Sequence, residues 1–437
     1  MDGLGHLLNI KGIRAPTAAS KTKLDQLLRG NHHNYGVLWN DQKFHNHMPH
    51  ILCSAYFLGA SPTQLAAIFE ECCKPLVEWQ EDDVEEIMIE DWYTFLGDKR
   101  HERAFKDFYD DAIGDANFDW MTVVHTFLHN DHDRKHNLLF SLVGGLLHPL
   151  IHLGYAFEVN DANLASEALV LASTESPSYL PLVANPENII KFPVKAGKKP
   201  LDFFLDLRND SNFDGYYEKP LDGTIPELLA DKYQDIFPYV FGLDISDYAK
   251  TLNDLLSLSS LLLTATHVPH KDPVFSFALL HLLTGTHAAC EILLSPKISK
   301  VLPETQERQD LIRGLWLNYI VLYIRQLRPK FDHNRVLEYD FQSQPEIADL
   351  ITSGGGLITR DDMWKRAVFL ALNSEGKFDE HYVKAIRSLA FAETQLAPVG
   401  DYLVEGDFFA KAALMFAIEK PKHAYARGDI TSLDVLN

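Results

Sequence analysis

Histidine carries the chemical signal of this sequence. The chain holds 20 histidines among 437 residues, and several interrupt otherwise apolar stretches. In Phe44-His45-Asn46-His47-Met48-Pro49-His50, which runs into ILCSAYFLGA, His47 and His50 stand three apart. On a helix that spacing puts both rings on one face, and Pro49 suits a first helical turn. Apolar sequence follows, so this face should turn inward. Two imidazole heads in a core need a shared metal or hydrogen bonds to satisfy them. His148-Pro-Leu-Ile-His152 repeats the theme at i, i+4, the helical geometry with which two imidazoles grip one ion. The flanking LVGGLL and LGYAF contain no charge. His281 interrupts the apolar SFALLHLLTGTH. Alone, such a histidine usually bonds a backbone carbonyl, but here it offers a closing ligand for the other two pairs. His287, six residues on, falls off its face.

A fourth segment, FDEHYVKAIRSLAFAE, places His381 and Lys384 at i, i+3, with Arg387 continuing the stripe and Asp379 as the cap. An exposed helix with ordinary charges accounts for this pattern, and so does a buried one. In the buried case desolvation lowers the lysine pKa and leaves a neutral amine. Such an amine captures carbon dioxide as a carbamate, a hard oxygen donor that suits iron beside imidazoles. His125, His129, His132 and His136 also repeat at i, i+4. They lie among Asn130, Asp131, Asp133, Arg134 and Lys135 and read as a solvated helix and turn. Within them, His132-Asp133 is the dipeptide used by helical HD-type phosphohydrolases, which makes that class the rival enzyme reading.

The elements that must position these residues are helices. Apolar residues recur at three- and four-residue spacing in LDQLLRG (24–30), PTQLAAIFEECC (62–73) and MWKRAVFLALN (363–373). LIRGLWLNYIVLYIRQL (311–327) is apolar nearly all round and reads as a buried central helix. Start signals agree at Asp115–Asp119, at Ser61-Pro62 and at Thr305 with Glu307. Period-two alternation is scarce. The fold expected is all-α, a large multi-helix bundle built as one unit over 1–437, with a buried metal centre. Glycine and proline mark connections at 194–223 and at the triple glycine 354–356.

Composition excludes several classes. With 46% hydrophobic residues the chain can bury a core and is not a disordered protein. Its 40 lysines and arginines against 61 acids give a net charge of −21, which repels phosphate backbones and argues against nucleic acid as a partner. Cys53, Cys72, Cys73 and Cys290 show no C-x-x-C spacing, which points to a reducing, cytoplasmic setting. No export signal or membrane span is expected; Leu255–Ala265 is too short and too interrupted by serine and threonine. No Rossmann glycine pattern follows a strand, and neither a Walker A motif nor G-x-S-x-G occurs. Reactivity would then come from a bound metal.

Three segments, FHNHMPHILCSAYFLGAS (44–61), HPLIHLGYAFEVNDANLASEALVLAS (148–173) and FSFALLHLLTGTH (275–287), together resemble the questin oxidase-like family, and WKRAV with DEHYVKAIRSLA (364–390) supports the match. The resemblance runs from about residue 30 to 395, and 396–437 is expected as a helical extension. It implies an all-helical oxidase of aromatic polyketide pathways that opens an anthraquinone ring with dioxygen, with a Baeyer–Villiger-like outcome and a benzophenone-type product. It implies ferrous iron held by histidines and a carboxylated lysine; NADPH is required by some members, and an NADPH-dependent monooxygenase without permanent iron is the alternative. The residues carried over are His47, His50, His148, His152 and His281, with Lys384 as the lysine and Lys377 as its alternative. Four histidines suffice, so one of the five, His148 or His47, is expected outside the metal's own shell. His45 and Asn46 are expected to orient ligand histidines. Tyr155, Tyr319, Tyr323 and Trp316 are candidate walls of an aromatic pocket. Ser388 departs from the family's Lys-x-x-Arg-Ala pattern.

Overall fold

Helix propensity and apolar periodicity dominate this chain, and the computed structural model is 67% helical with almost no strand. It describes residues 10–425 apart from 41, 80–84, 130–136, 178, 180–181, 184, 354–357 and 399–405. The dipeptide His132-Asp133 and the triple glycine thus lie outside the described residues. The helices are α1 (Ala18–Asn34), α2 (Met48–Phe57), α3 (Pro62–Cys72), α4 (Glu102–Asp115), α5 (Trp120–His129), α6 (His148–Val159), α7 (Ala162–Thr174), α8 (Pro186–Lys191) and α9 (Pro200–Arg208). They continue as α10 (Ile225–Gly242), α11 (Tyr248–Thr264), α12 (Phe277–Leu293), α13 (Thr305–Arg325), α14 (Asn334–Leu337), α15 (Ala348–Ser353), α16 (Arg360–Asn373), α17 (Glu380–Leu396) and α18 (Phe408–Glu419). The only sheet among the described residues is the antiparallel pair Leu38–Trp39 and Phe44–His45, which leads the chain into α2. No helix among the described residues is long and apolar enough to cross a membrane.

Start signals act where they stand. Ser61 caps α3 in a capping box with Gln64, with Pro62 in the first turn. Asp379 accepts from the backbone N–H groups of His381 and Tyr382 and opens α17. Helix α13 starts at Thr305, preceded by Glu304 as its cap residue.

Four helices surround the molecule's polar centre: α2 packs on α6 and α17, α6 packs on α12, and α12 packs on α17. Every residue of α2 and α6 is buried, as their apolar make-up demands; the one charge in them, Glu158 of α6, is paired inside with Arg387. The α6–α12 contact is set by glycine, because a Cβ on Gly154 would fall 2.6 Å from that of Ala288. Helix α17 is also buried from His381 to Glu393. The exposed-helix reading of its charges fails because each has a partner inside: Arg387 bonds Glu158 at 2.7 Å, and Glu393 takes the Trp364 indole and Arg360.

Candidate metal centre

Each of the four helices delivers histidine from its first or second turn. His47 is the residue before α2 and His50 lies in its first turn. His148 opens α6 and His152 follows one turn later. His281 is in the second turn of α12, and His381 and Lys384 are in the opening turns of α17. Helix N-termini carry partial positive charge. Their convergence favours neutral imidazoles and anionic groups over protonated ones.

Hydrogen bonds fix which nitrogen of each ring is bare. His148 Nδ1 lies 2.5 Å from the Gly145 carbonyl and His281 Nδ1 lies 2.7 Å from that of Phe277. A carbonyl only accepts, so both Nδ1 atoms carry hydrogen and both Nε2 atoms are lone pairs. One oxygen of Glu380 takes His47 Nδ1 at 3.1 Å and His381 Nδ1 at 3.2 Å. That leaves the Nε2 lone pairs of these two rings free as well, and His381 Nε2 is buried without a partner. His47 Nε2 and His148 Nε2 are 2.7 Å apart. Two neutral rings cannot hold bare lone pairs at that spacing unless something positive sits between them. Nitrogens bound side by side at about 2.1 Å from one ion lie about 3 Å apart.

His50 and His152 repeat the pattern one layer deeper. His152 Nε2 bonds Glu167 at 2.6 Å, which leaves its Nδ1 bare, 3.2 Å from His50 Nε2. His50 Nδ1 has no partner and the ring is fully buried. Glu167 continues to His32 Nδ1 at 2.9 Å, and His32 Nε2 reaches the partly exposed Asp110 at 3.1 Å. The rings of His50 and His148 stack at 5.9 Å, and those of His148 and His281 meet at 4.8 Å. One nitrogen each from His148, His281 and His381 lies within 4.8 Å of the others, as do ligand atoms of His45, His47 and His148 and of His47, Glu380 and His381.

Lys384 stands inside this group. Its Nζ is 3.5 Å from His281 Nε2 and the residue is fully buried. Burial pushes the amine down to about 7, against the opposing pull of Glu380 and Asp379. Burial first, then the Lys384 charge, also holds His50, His281 and His381 well below the usual imidazole range. His47 falls to about 4 for the same first reason, although Glu380 resists. At neutral pH the centre is therefore a set of neutral nitrogen donors around an amine poised between its charged and neutral forms, with Glu380 as the nearby carboxylate. The donor set fits a borderline metal ion.

Other candidates fall elsewhere. Lys377 sits in the turn before α17 with its amine over the Phe378 ring. His45 stacks on His148 at 4.2 Å and bonds Glu175 at 2.9 Å. The Asn46 amide bonds Asn31 and the Gly36 carbonyl, and its oxygen takes the Met48 N–H. Asn46 thus fixes the entry of α2 through backbone rather than through a ring. Tyr155 lies against His50, with ring centres 5.3 Å apart. Trp316, Tyr319 and Tyr323 instead form an aromatic core with Phe204, and their polar atoms bond backbone carbonyls. His125 bonds the Val301 carbonyl and His129 pairs with Glu307. His287 belongs to a separate buried group with Glu158 and Glu291.

Sequence reasoning did not single out His381 as a donor, nor Glu380, Glu167 and His32 as its supports. His381 has the same three-residue offset from Lys384 that His47 has from His50. Glu167 was visible as a single acid within the apolar LASEALVLAS.

A family model described as questin oxidase-like matches residues 44–389, a span that holds all of these histidines except His32. The chain belongs to the questin oxidase-like family. Curated relatives extend the likeness beyond that span. The Baeyer-Villiger monooxygenase AacuH of Aspergillus aculeatus is 22% identical over 97% of this chain and 90% of its own length. The oxidoreductase AflY of Aspergillus parasiticus is 25% identical over 92% of this chain and 79% of its own. A questin oxidase of Aspergillus terreus is 23% identical over 66% of this chain and 67% of its own. Members of this family with these names are oxidoreductases.

Proposed function

We propose that this chain is a non-haem iron oxygenase that cleaves a carbon–carbon bond of an anthraquinone ring, with a Baeyer–Villiger-like outcome and a benzophenone-type product. The observation that carries the reading is the convergence of bare imidazole nitrogens from four helices on a buried lysine. The relatives named as Baeyer-Villiger monooxygenase and questin oxidase supply the reaction class and the ring.

His47, His148, His281 and His381 are the donors nearest one another, with the His50–His152 pair beside them as the further candidates. Lys384, in the free-amine form that its lowered pKa makes accessible at neutral pH, adds to carbon dioxide with loss of a proton and presents a carbamate oxygen as the anionic ligand. Ferrous iron held there would supply the one-electron chemistry that dioxygen needs to react with a closed-shell ring. The protein's own residues do the remaining work. Glu380 orients two imidazoles at once and fixes their tautomers. Glu167 does the same for His152. The Gly145 carbonyl sets His148, and the buried walls of α2, α6, α12 and α17 keep bulk water from the centre.

The described residues form no parallel sheet, so the alternative NADPH-dependent reading would need a dinucleotide site other than the Rossmann type. The decisive assay is oxygen uptake by iron-loaded protein supplied with a hydroxylated anthraquinone. The reading expects uptake and a ring-opened product of higher mass, both lost on chelation. Undiminished turnover in thoroughly chelated protein would overturn it.

A further inference from the structure

A cavity of about 370 Å³ lies between the turn before α6 and the C-terminal half of α13. We propose that it seats the aromatic substrate and that Arg325 selects one bearing an anionic oxygen, a carboxylate or a phenolate. The cavity volume falls in the range of small-molecule sites, and its lining has their make-up: apolar walls with few polar groups. Leu146 and Leu322 are among its apolar walls, and Tyr179, Asn318 and Arg325 are its polar members.

Arg325 is built in rather than loose. Its Nη2 donates to the carbonyls of Leu221 at 3.1 Å and Gly223 at 2.6 Å, and the Leu221 N–H returns a bond to the Arg325 carbonyl at 2.6 Å. These bonds hold the head in place without using its charge. Its Nε is buried and has no partner. In a chain of net charge −21 no carboxylate among the described residues forms an ion pair with it. Of the acids on this side, Glu175 is taken by His45 and Lys99, while Asp222 and Glu227 accept backbone N–H groups of their own turn. A positioned guanidinium with an open N–H is the usual receptor for a carboxylate or phenolate oxygen.

The cavity also touches the histidine centre. Gly145 lines it, and the Gly145 carbonyl is the group that fixes His148. Gly145, Leu146 and Leu147 follow one another with φ of 49°, 55° and 68°, a left-handed run that leucine rarely adopts. Such strain collects at functional sites. Leu147 is wedged against Gly285 of α12, while Leu146 turns to the cavity. A flat ring seated there lies one residue layer from His148.

The inference rests on the oxygenase reading for the nature of the ring and not for the anion. Its test is anaerobic titration of the full-length protein with three anthraquinones: one carboxylated, one hydroxylated, one unsubstituted. The change in the ligand's visible absorption reports binding without turnover. Wild type should bind one or both of the acidic ligands at least about tenfold more tightly than the unsubstituted ring. The ligand that shows the preference, and for the phenol its rise with pH, tells carboxylate from phenolate. Arg325→Met should erase the preference and keep the weak binding, Arg325→Lys should keep part of it, and Leu146→Trp should block all three ligands. A preference that survives in Arg325→Met, or no binding by folded wild type, would overturn the inference. Arginine-dependent binding without oxygen uptake would sink the oxygenase reading and leave this one standing. Oxygen uptake with KM values unmoved by Arg325→Met would do the reverse.

Discussion

Replacing Lys384 by methionine removes an amine that burial has made hard to charge. Its pKa stands at about 7 in the folded protein, against about 10.5 in the unfolded chain, a gap worth about 5 kcal/mol at full extent. The sign follows from proton counting. Below pH 7 both states bind the proton and the folded one bears the desolvation cost. Between the two values only the unfolded state binds it, so stability recovers as pH rises. Methionine keeps the volume and carries no such term. Metal-free Lys384→Met should therefore be more stable than metal-free wild type, and the difference should shrink by about 2 to 3 kcal/mol between about pH 7.5 and 9.5. The neighbouring histidines are depressed and already neutral throughout that window. His32 titrates within it, but equally in both proteins, so it cancels. Urea unfolding in carbon dioxide-free buffer at several pH values measures the difference directly. A difference that stays flat across the window, or that grows, would refute the account of a neutral, desolvated lysine.

Three further outcomes follow from the geometry. Gly154→Ala should cost about 1–3 kcal/mol in stability and weaken metal uptake, because its Cβ drives α6 away from Ala288 on α12 and these helices carry His148, His152 and His281; thermal unfolding and metal titration read both effects. Glu380→Gln should lower metal affinity by about 10- to 100-fold with the fold intact, since the carboxylate that orients His47 and His381 is lost. His32 is pulled down by burial yet raised overall to about 9 by Asp110 and Glu167. Its stabilisation is present in full below about pH 6.5 and lost as pH rises through about 9, so the stability gap between wild type and His32→Asn should close over that interval in urea titrations.

The helices and the histidine pairs were legible in the sequence because both are local. His47 with His50 and His148 with His152 sit at helical spacing in charge-free segments, and α2 and α6 bury every residue. Helix α17 was ambiguous because its charges read alike on a surface or in a core. Only the long-range partners Glu158, Trp364 and Arg360 decide the matter, and no spacing rule reveals them. The support of the rings was hidden for the same reason: Glu167 meets His32 across 135 positions, and Glu380 meets His47 across 333. Asn46 was read as an orienter of rings, but its bonds run to backbone and to Asn31. The aromatic residues of α13 looked like pocket wall, whereas three of them build core and the same helix offers Leu322 and Arg325 to the cavity instead.

The central claim is that imidazoles from four helices hold one transition-metal ion. Elemental analysis of protein reconstituted anaerobically with ferrous iron and then freed of excess tests it most directly. The account predicts about one iron per chain, falling to background in a folded His148→Ala, His281→Ala double variant. Wild type that stays iron-free while fully folded, or a double variant that keeps its iron, would contradict it.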